Sequence, residues 1–316
     1  MVRFLVRRAA LLLLTLWLMS IVIFTILQIP PGDVAHAVLG QYATPEALAA
    51  LRKQLGLGAP APLQYAHWIT GFVTGQWGTS PSYDDTPIVS LIPARLGASL
   101  LLAGAALLVI VPLSIVGGTI AALRQDSLID RAITISGLSL MAVPEFISGI
   151  VLLSVFGLWL HLLPTGSVAA GVNPLTSPQY LVLPALSLGL VFFGYLARMT
   201  RASTIAVLGS NYVRTARLKG LPLRTVLRRH VLPNALLPTI TVIASQVGYL
   251  VGGLVVVEQL FNYPGIGSTI LYAALHHDVP LLEDCVMIIA VIYMLSNLVA
   301  DLLYSYLNPR IRYGAS

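Results

Sequence analysis

The chain contains six apolar runs, each long enough to cross a lipid bilayer as a single helix. A transmembrane helix needs about 20 predominantly apolar residues, and the bilayer core offers its backbone no water to bind. The runs are approximately Ala9–Ile29, Gly97–Leu123, Ala132–Leu160, Tyr180–Ala197, Ala235–Val257 and Cys285–Leu307. We therefore predict an all-α membrane protein with six transmembrane helices.

The composition excludes an ordinary soluble domain. Hydrophobic residues make up 57% of the 316 residues and charged residues 9%, whereas soluble domains carry about 25% charged residues. One cysteine, Cys285, leaves no internal disulfide and no Cys-x-x-Cys redox or metal site. The net charge of +6 is explained by the location of the basic residues, and we predict no nucleic-acid partner.

The basic residues lie on one side of the predicted spans. Fifteen of the 18 Lys and Arg residues fall at the two termini and in the links after the second and fourth spans. Cytoplasmic flanks of membrane helices collect Lys and Arg, so we predict that both termini are cytoplasmic. The first apolar run is longer than the roughly 7–15 residues of a signal-peptide core, and we expect it to stay as a helix.

A long external segment, residues 30–96, is expected between the first two spans. Within it, the sequence TPEALAALRKQLGLG is typical of a short amphipathic helix that rests on the membrane bundle. Thr44 is a suitable N-cap, Pro45 suits the first helical position and Gly56 suits the end.

The link between the fourth and fifth spans holds a dense basic stretch, YVRTARLKGLPLRTVLRRHVLP from Tyr212 to Pro233. Ser210 or Asn211 can cap a first helix, Gly220 fits a C′ position with positive φ, and Pro222 suits the first turn of a second helix. We expect two short helices joined at a glycine corner on the cytoplasmic surface. Anionic lipid can account for part of the charge, whereas the corner favours a soluble acidic partner.

This stretch resembles the "EAA loop" of importer-type ABC transporter permeases, E-A-A-x3-G-x9-I-x-L-P. The matching positions are Arg214, Thr215, Ala216, Gly220, His230, Leu232 and Pro233. The first acidic position and the isoleucine depart from the general pattern, and the form Y-x-R-T-A-R-x-K-G-L is similar to that of dipeptide and oligopeptide permeases. The resemblance implies that Arg214, Thr215, Ala216, Arg217, Lys219, Gly220, Leu232 and Pro233 couple the chain to an ATPase.

Further similarities extend along the chain. They are IPPGD (29–33), GQWGTS (75–80), LARMTRAS (196–203), EQLFNYPGIG (258–267) and NPRIRYG (308–314). Together they resemble the B-type permease subunit of the dipeptide, oligopeptide and nickel ABC importers. The resemblance implies the type I importer fold. It also implies a division into residues 1–93, the first helix with an external segment, and 94–316, the transmembrane domain with a coupling loop at about 203–233.

The resemblance also implies the function. The chain has no G-x-x-x-x-G-K-[ST] loop, so it is not expected to bind ATP or to act as an enzyme. ATP and Mg²⁺ would be bound by two cytoplasmic ATPase subunits or domains, and this chain carries no cofactor of its own. Its other expected partners are a paralogous permease subunit, an extracytoplasmic substrate-binding protein and the lipid of a bacterial inner membrane.

The expected cargo is a di- or oligopeptide, imported by alternating access. Nickel chelates, glutathione and sugars remain alternative cargoes of the same importer class. An ion-coupled secondary transporter, with Glu145 and Asp301 as coupling acids, is a different class. It is disfavoured because no internal repeat is visible.

Within the spans, Glu145 in VPEFISG is a candidate for the translocation path, because ionisable groups in a bilayer are costly and often functional. A structural hydrogen bond near Pro144 is the alternative. Gly248 and Gly252 form a G-x-x-x-G helix-packing motif. His276, His277 and Asp278 invite a metal interpretation, but a metal usually needs three or four ligands, and we predict neither a metal site nor a catalytic site.

Overall fold

The computed structural model describes the backbone of residues 2–28, 44–46, 59–166 and 177–307. In chain order, the elements are α1 (Val2–Gln28), α2 (Ala61–Thr74), β1 (Thr79–Ser80), β2 (Thr86–Pro87), α3 (Ile88–Leu123), α4 (Leu128–Ala142), α5 (Glu145–Leu152), α6 (Gln179–Leu208), α7 (Asn211–Leu218), α8 (Leu223–Val226), α9 (Leu232–Leu260), α10 (Ile266–Leu275) and α11 (Val279–Leu307). The motifs IPPGD and NPRIRYG and most of the predicted external amphipathic helix lie outside the described residues.

The chain divides into two compact units. The first unit comprises Met1–Ser99 and Pro264–Met294, and the second comprises Leu100–Tyr263 and Leu295–Ser316. These units are defined by spatial contacts. The predicted domains, residues 1–93 and 94–316, are defined along the sequence and stay a prediction.

The first unit is built on a core of aliphatic side chains from α3, α10 and α11. Its buried members are Ile88, Ile92, Ile266, Ala273, Leu281, Cys285 and Ile288. Strands β1 and β2 form a two-residue antiparallel ladder, with Thr79 opposite Pro87 and Ser80 opposite Thr86. The half-buried rings of Phe72, Trp77 and Tyr83 pack against this core, which joins α2 and the residues after it to the start of α11.

The second unit is organised around α6, which packs against α4, α5 and α9. A close approach between α4 and α6 occurs at Gly137 and Gly194, where a Cβ on Gly137 would lie 3.0 Å from the Gly194 Cα. Small residues of this kind allow membrane helices to approach closely. Gly248 and Gly252 both lie in α9, and Gly248 is buried. The packing of these two glycines against a neighbouring helix stays a prediction.

The third predicted span is not one helix. Helix α4 ends at Ala142, Val143 is extended (φ −89°, ψ 123°), and α5 continues at an angle of 106°. Pro144 explains the break, because proline disfavours the α conformation at the residue before it. A wide π-helical turn, Leu153–Trp159, follows α5. The prediction of a single helix over Ala132–Leu160 is therefore wrong.

The other predicted spans are helical, with longer bounds than expected. In the described residues, four helices are long and apolar enough to cross a membrane, or up to five if the bent pair α4 and α5 forms one span. The four are within α1, α3, α6 and α11. Helix α9 covers the fifth predicted span with 29 residues. A mostly helical membrane protein is confirmed, while the count of six remains a prediction.

A buried ion pair ties α4 to α6 in the second unit. Asp130 is 3% exposed, and its two carboxylate oxygens accept hydrogen bonds from Arg201 Nε and Nη2, both at 2.6 Å. The backbone N–H of Asp126 and the hydroxyl of Thr134 also donate to this carboxylate. Because all of these donors converge on one buried acid, the pair fixes the register of the two helices.

Candidate functional site

The basic segment, residues 211–233, follows α6 and begins with the short helix α7. Val213 and Ala216, three residues apart, lie on the buried face of α7 and pack in a small core with Val226, Val231 and Ala235. The helix is thereby fixed to the start of α9. Ser210 occupies the N-cap position without a capping bond, since its hydroxyl donates to the Val207 carbonyl at 2.6 Å.

Gly220 forms the corner that ends α7, in the left-handed conformation that the sequence predicts. Its φ is +75°, its N–H donates to the Arg217 carbonyl at 2.9 Å, and the N–H of Leu221 reaches the Ala216 carbonyl at 3.4 Å. This pair of bonds is a Schellman motif, with Lys219 as the C-cap. A side chain at position 220 would meet no neighbour within 4 Å, so the requirement for glycine is purely a backbone one.

The second half of the basic segment differs from the prediction of a separate helix that stops at Pro233. Helix α8 spans only Leu223–Val226, with Pro222 at its N-cap. A π-helical turn, Leu227–Val231, then continues directly into α9. Pro233 sits in the first turn of α9, directly after the π-helical turn, and has no N–H to donate back to that turn. The segment is thus a rigid extension of α9.

The basic side chains of this segment point outward. Arg214, Arg217, Lys219, Arg224, Arg228 and Arg229 are all exposed, and no Asp or Glu occurs between residues 202 and 257. Thr215, Gly220 and Pro233 are exposed as well, and Leu232 is half-buried. Ala216, one of the residues predicted to couple the chain to an ATPase, is 6% exposed and lies on the buried face of α7. Ala216 positions the helix from beneath.

Large apolar side chains share this surface, and sequence reasoning missed them. Leu218 is 81% exposed, Leu223 54% and Tyr212 46%. Their positions in the sequence could have indicated this exposure. Tyr212 and Leu218 are not on the face of α7 that carries Val213 and Ala216, and Leu223 follows the corner at Gly220. Apolar groups surrounded by basic ones mark an interaction surface. The arrangement suits a groove with an apolar floor and an acidic rim.

Glu145 lies at the bend between α4 and α5, not in the middle of a straight span. It is the first residue of α5 and is half-buried. Its backbone carbonyl accepts the Ser187 hydroxyl of α6 at 2.8 Å. A carboxylate in the first turn of a helix is favoured by the helix dipole. The Pro144 carbonyl accepts the backbone N–H groups of Ile147 and Ser148. The role of the Glu145 side chain, in the translocation path or in a structural hydrogen bond near Pro144, stays a prediction.

The motif EQLFNYPGIG forms the end of α9 and the turn after it. Glu258, Phe261 and Tyr263 are at most 1% exposed. The Tyr263 N–H donates to the Glu258 carbonyl at 2.7 Å, and Asn262 adopts a positive φ of 49°. Burial, with a further effect from the charge of Glu258, raises the pKa of Tyr263 to about 12. The turn is therefore a packed structural corner with a neutral tyrosine.

Asp278 has a structural environment. Its Oδ2 accepts the hydroxyls of Ser80 and Ser82 at 2.5 Å each and the Ser82 N–H at 3.1 Å. Its Oδ1 accepts the Leu281 N–H at 3.2 Å. These bonds tie β1 and the turn after it to the start of α11 in the first unit. The described residues hold no group of three or more potential metal ligands.

Two family models match the chain. Residues 114–313 match "binding-protein-dependent transport system inner membrane component", and residues 1–91 match the N-terminal model of the same family. The chain belongs to this family and is an inner-membrane component of a binding-protein-dependent transport system. In such ABC systems, ATP is hydrolysed by separate subunits.

Curated relatives match over nearly the whole chain. The probable peptide ABC transporter permease protein y4tP of Sinorhizobium fredii is 33% identical, over 98% of this chain and 99% of that protein. The dipeptide transport system permease protein DppB of Alkalihalophilus pseudofirmus is 33% identical, over 99% of this chain and 100% of that protein. The glutathione transport system permease protein GsiC of Escherichia coli K12 is 34% identical, over 99% and 100%.

A solved structure, the crystal structure of an amino acid ABC transporter with histidines, aligns with a TM-score of 0.46 and 16% identity. The alignment covers 70% of this chain and 94% of that one.

Proposed function

We propose that the chain is the permease subunit of an ATP-driven importer that moves small peptides into the cytoplasm by alternating access. The relatives named above are named for peptides, dipeptides and glutathione, and each aligns over at least 98% of this chain. Glutathione is itself a tripeptide, so the three names share one cargo chemistry. Nickel chelates and sugars have no support among these three relatives.

The basic segment is proposed as the surface that couples the permease to its ATPase. The observation that carries this assignment is a rigid corner, anchored by Val213 and Ala216, whose outer face combines basic and apolar side chains. Arg214, Thr215, Arg217 and Lys219 would contact the ATPase, which binds ATP and Mg²⁺. The shape of the basic segment would be maintained by Ala216, Gly220, Leu232 and Pro233.

The direct continuation of the basic segment into α9 supports a simple mechanism. A displacement of α7 by the ATPase would be transmitted through the π-helical turn into α9. Alternating access requires such rigid bodies to move around a shared site near the middle of the membrane. A flexible link at residues 219–222 would dissipate the motion.

The proposed topology has six spans, with α4 and α5 together forming the third, and both termini in the cytoplasm. The proposed domains are residues 1–93 and 94–316, and a paralogous permease subunit completes the translocation path. Glu145 is proposed to face that path, since it lies at a break where backbone groups line a cavity more readily than in a regular helix. Gly248 and Gly252 are proposed to pack against a neighbouring helix.

The test is ATP hydrolysis by the complete complex in lipid nanodiscs. Binding protein loaded with a di- or tripeptide is expected to stimulate hydrolysis, and empty binding protein to stimulate it less. Stimulation only by a nickel chelate or a sugar would overturn the cargo and leave the mechanism standing. Stable purification with no associated ATPase would overturn the importer assignment.

A further inference from the structure

Two neighbouring acids, Glu283 and Asp284, are buried near the start of α11 in the first unit. Glu283 is 6% exposed and Asp284 1%. Both lie after Asp278, in the first turns of the helix, and sequence reasoning assigned them no role. Carboxylates are seldom this buried unless a counter-charge or several hydrogen bonds compensate for lost water.

The compensation visible around the two acids is small. Asp284 Oδ1 accepts one hydrogen bond, from Trp68 Nε1 at 3.0 Å. Glu283 Oε1 is buried and has no hydrogen-bond partner among the described residues. The pair therefore retains unused acceptor capacity, and no lysine or arginine is among the described residues that line the space beside it.

Both acids line an open cavity of about 770 Å³, whose other lining residues include members of α1, α2, the β1 strand and the start of α11. We call it the carboxylate cavity. This volume is typical of small-molecule sites, which occupy about 300–1,000 Å³. Its walls include the aromatic rings of Phe24, Trp68, Phe72 and Trp77, and the exposed His67 is its one basic side chain among the described residues.

The aromatic lining of the cavity is compatible with an organic cation. Trp68 stacks near Phe24, with ring centroids 6.2 Å apart, and Phe72 stacks on Trp77 at 5.8 Å. Aromatic faces attract ammonium groups through the ring quadrupole, most strongly where water is excluded. Two carboxylates beside such rings provide the acceptors that an ammonium group, with its three donors, requires.

We infer that the carboxylate cavity binds a primary ammonium group carried on a small apolar body, as in the free amino terminus of a short peptide. The assignment of the peptide as its source rests on the proposed function, whereas the preference for ammonium rests on the cavity alone. Ca²⁺ fits less well, since it takes six to eight oxygen ligands. On the proposed topology, the cavity is on the external side, where arriving cargo is released from the binding protein.

The test uses the complete complex in nanodiscs without ATP and measures binding by calorimetry at pH 7. The probes are butylammonium, the neutral butanol, the dipeptide Ala-Ala, its N-acetylated form and Ca²⁺. Glu283→Gln keeps the shape of the side chain and removes the carboxylate that would pair with the ammonium group. Asp85→Asn is the matched control, because Asp85 is an exposed acid of the same unit, outside the cavity.

Butylammonium and Ala-Ala are expected to bind, and butanol and N-acetyl-Ala-Ala to bind at least 10-fold more weakly. Glu283→Gln is expected to weaken butylammonium binding by about 10- to 100-fold, the range for a lost charged hydrogen bond, and Asp85→Asn to leave it unchanged. Equal binding by wild type and Glu283→Gln, no binding at all, or displacement of butylammonium by Ca²⁺ would each overturn the site.

Failure of the proposed function gives a different pattern. If the complex does not import peptides, binding protein loaded with a di- or tripeptide does not stimulate ATP hydrolysis, but Glu283-dependent butylammonium binding persists. If peptides are imported and Glu283→Gln binds butylammonium as wild type does, only the inferred site is wrong.

Discussion

The basic segment carries its basic side chains on the surface, whereas the carboxylate cavity is lined by acidic side chains that are buried. The six basic residues of the segment are exposed and hydrated, and the fold beneath them rests on a small aliphatic core around Val213 and Ala216. Glu283 and Asp284 are buried, and the one hydrogen bond described above is donated to Asp284 by Trp68. Surface charges cost folding little and remain available to a partner, whereas buried charges destabilise the fold until something compensates for them.

The ion pair between Asp130 and Arg201 provides the reference for this comparison, because it shows a buried acid that is fully compensated. Asp130→Asn is expected to destabilise the protein by about 2–3 kcal/mol. This is less than the 3–5 kcal/mol typical of fully buried pairs, because the Arg201 side chain is 27% exposed and stays partly hydrated. Thermal unfolding of the purified complex in nanodiscs measures the change.

Asp85→Asn is the control for that measurement, since it makes the same chemical change at an exposed residue. An unfolding temperature for Asp130→Asn equal to that of the control would show that the ion pair contributes nothing to stability.

Gly220→Val is expected to have the next largest effect, and mainly on coupling. A β-carbon in the left-handed conformation costs about 1–2 kcal/mol, which the corner can relieve by opening. We expect normal membrane insertion, ATP hydrolysis that no longer responds to loaded binding protein, and at least a 10-fold loss of transport. Paired assays of hydrolysis and uptake in proteoliposomes separate these effects.

Gly209→Val is the matched variant, because Gly209 has φ −77° and a β-carbon added there would lie 3.6 Å from the Ala206 carbonyl oxygen, an ordinary contact distance. It is expected to transport normally. Equal coupling in the two valine variants would remove the argument that Gly220 transmits motion.

Glu283→Gln is expected to change stability in the direction opposite to Asp130→Asn. It makes the same acid-to-amide change as Asp130→Asn, but at an acid whose Oε1 has no partner among the described residues. In the absence of ligand and at alkaline pH, where the buried acid is ionised, we expect a gain in stability of about 1 kcal/mol, since the amide is less costly to bury than the carboxylate. Thermal unfolding of the two amide variants, side by side, gives opposite shifts. A loss of stability in both would mean that Glu283 is already compensated.

The sequence predicted the elements that depend on local chemistry. Gly220 was predicted in a left-handed corner because few residues other than glycine end a helix in that way, and the apolar runs predicted helices because a bilayer permits little else. The bend at Val143 could also have been predicted, since Pro144 lies in the third apolar run. A single helix was predicted instead because the run is long enough to span a bilayer.

Features that depend on tertiary packing could not be predicted in the same way. Whether Ala216 faces a partner or the core is decided by Val226 and Val231, which come later in the chain. The burial of Glu283 and Asp284 depends on α2, which is more than 200 residues away and supplies Trp68. A sequence pattern identifies two acids near the start of an apolar run, but it does not reveal that both line one cavity.

Leu218→Ser is expected to have the smallest effect on folding and a selective effect on partner binding. Leu218 is 81% exposed, so its replacement should change stability by less than about 0.5 kcal/mol. If the basic segment docks through an apolar centre with a basic rim, the ATPase should dissociate faster from this variant, with unchanged salt dependence. Arg214→Gln should instead reduce the salt dependence of association, because rim charges act mainly on the association rate. Surface plasmon resonance at two salt concentrations distinguishes the two effects, and identical kinetics for Leu218→Ser and wild type would leave the docking surface to the basic residues alone.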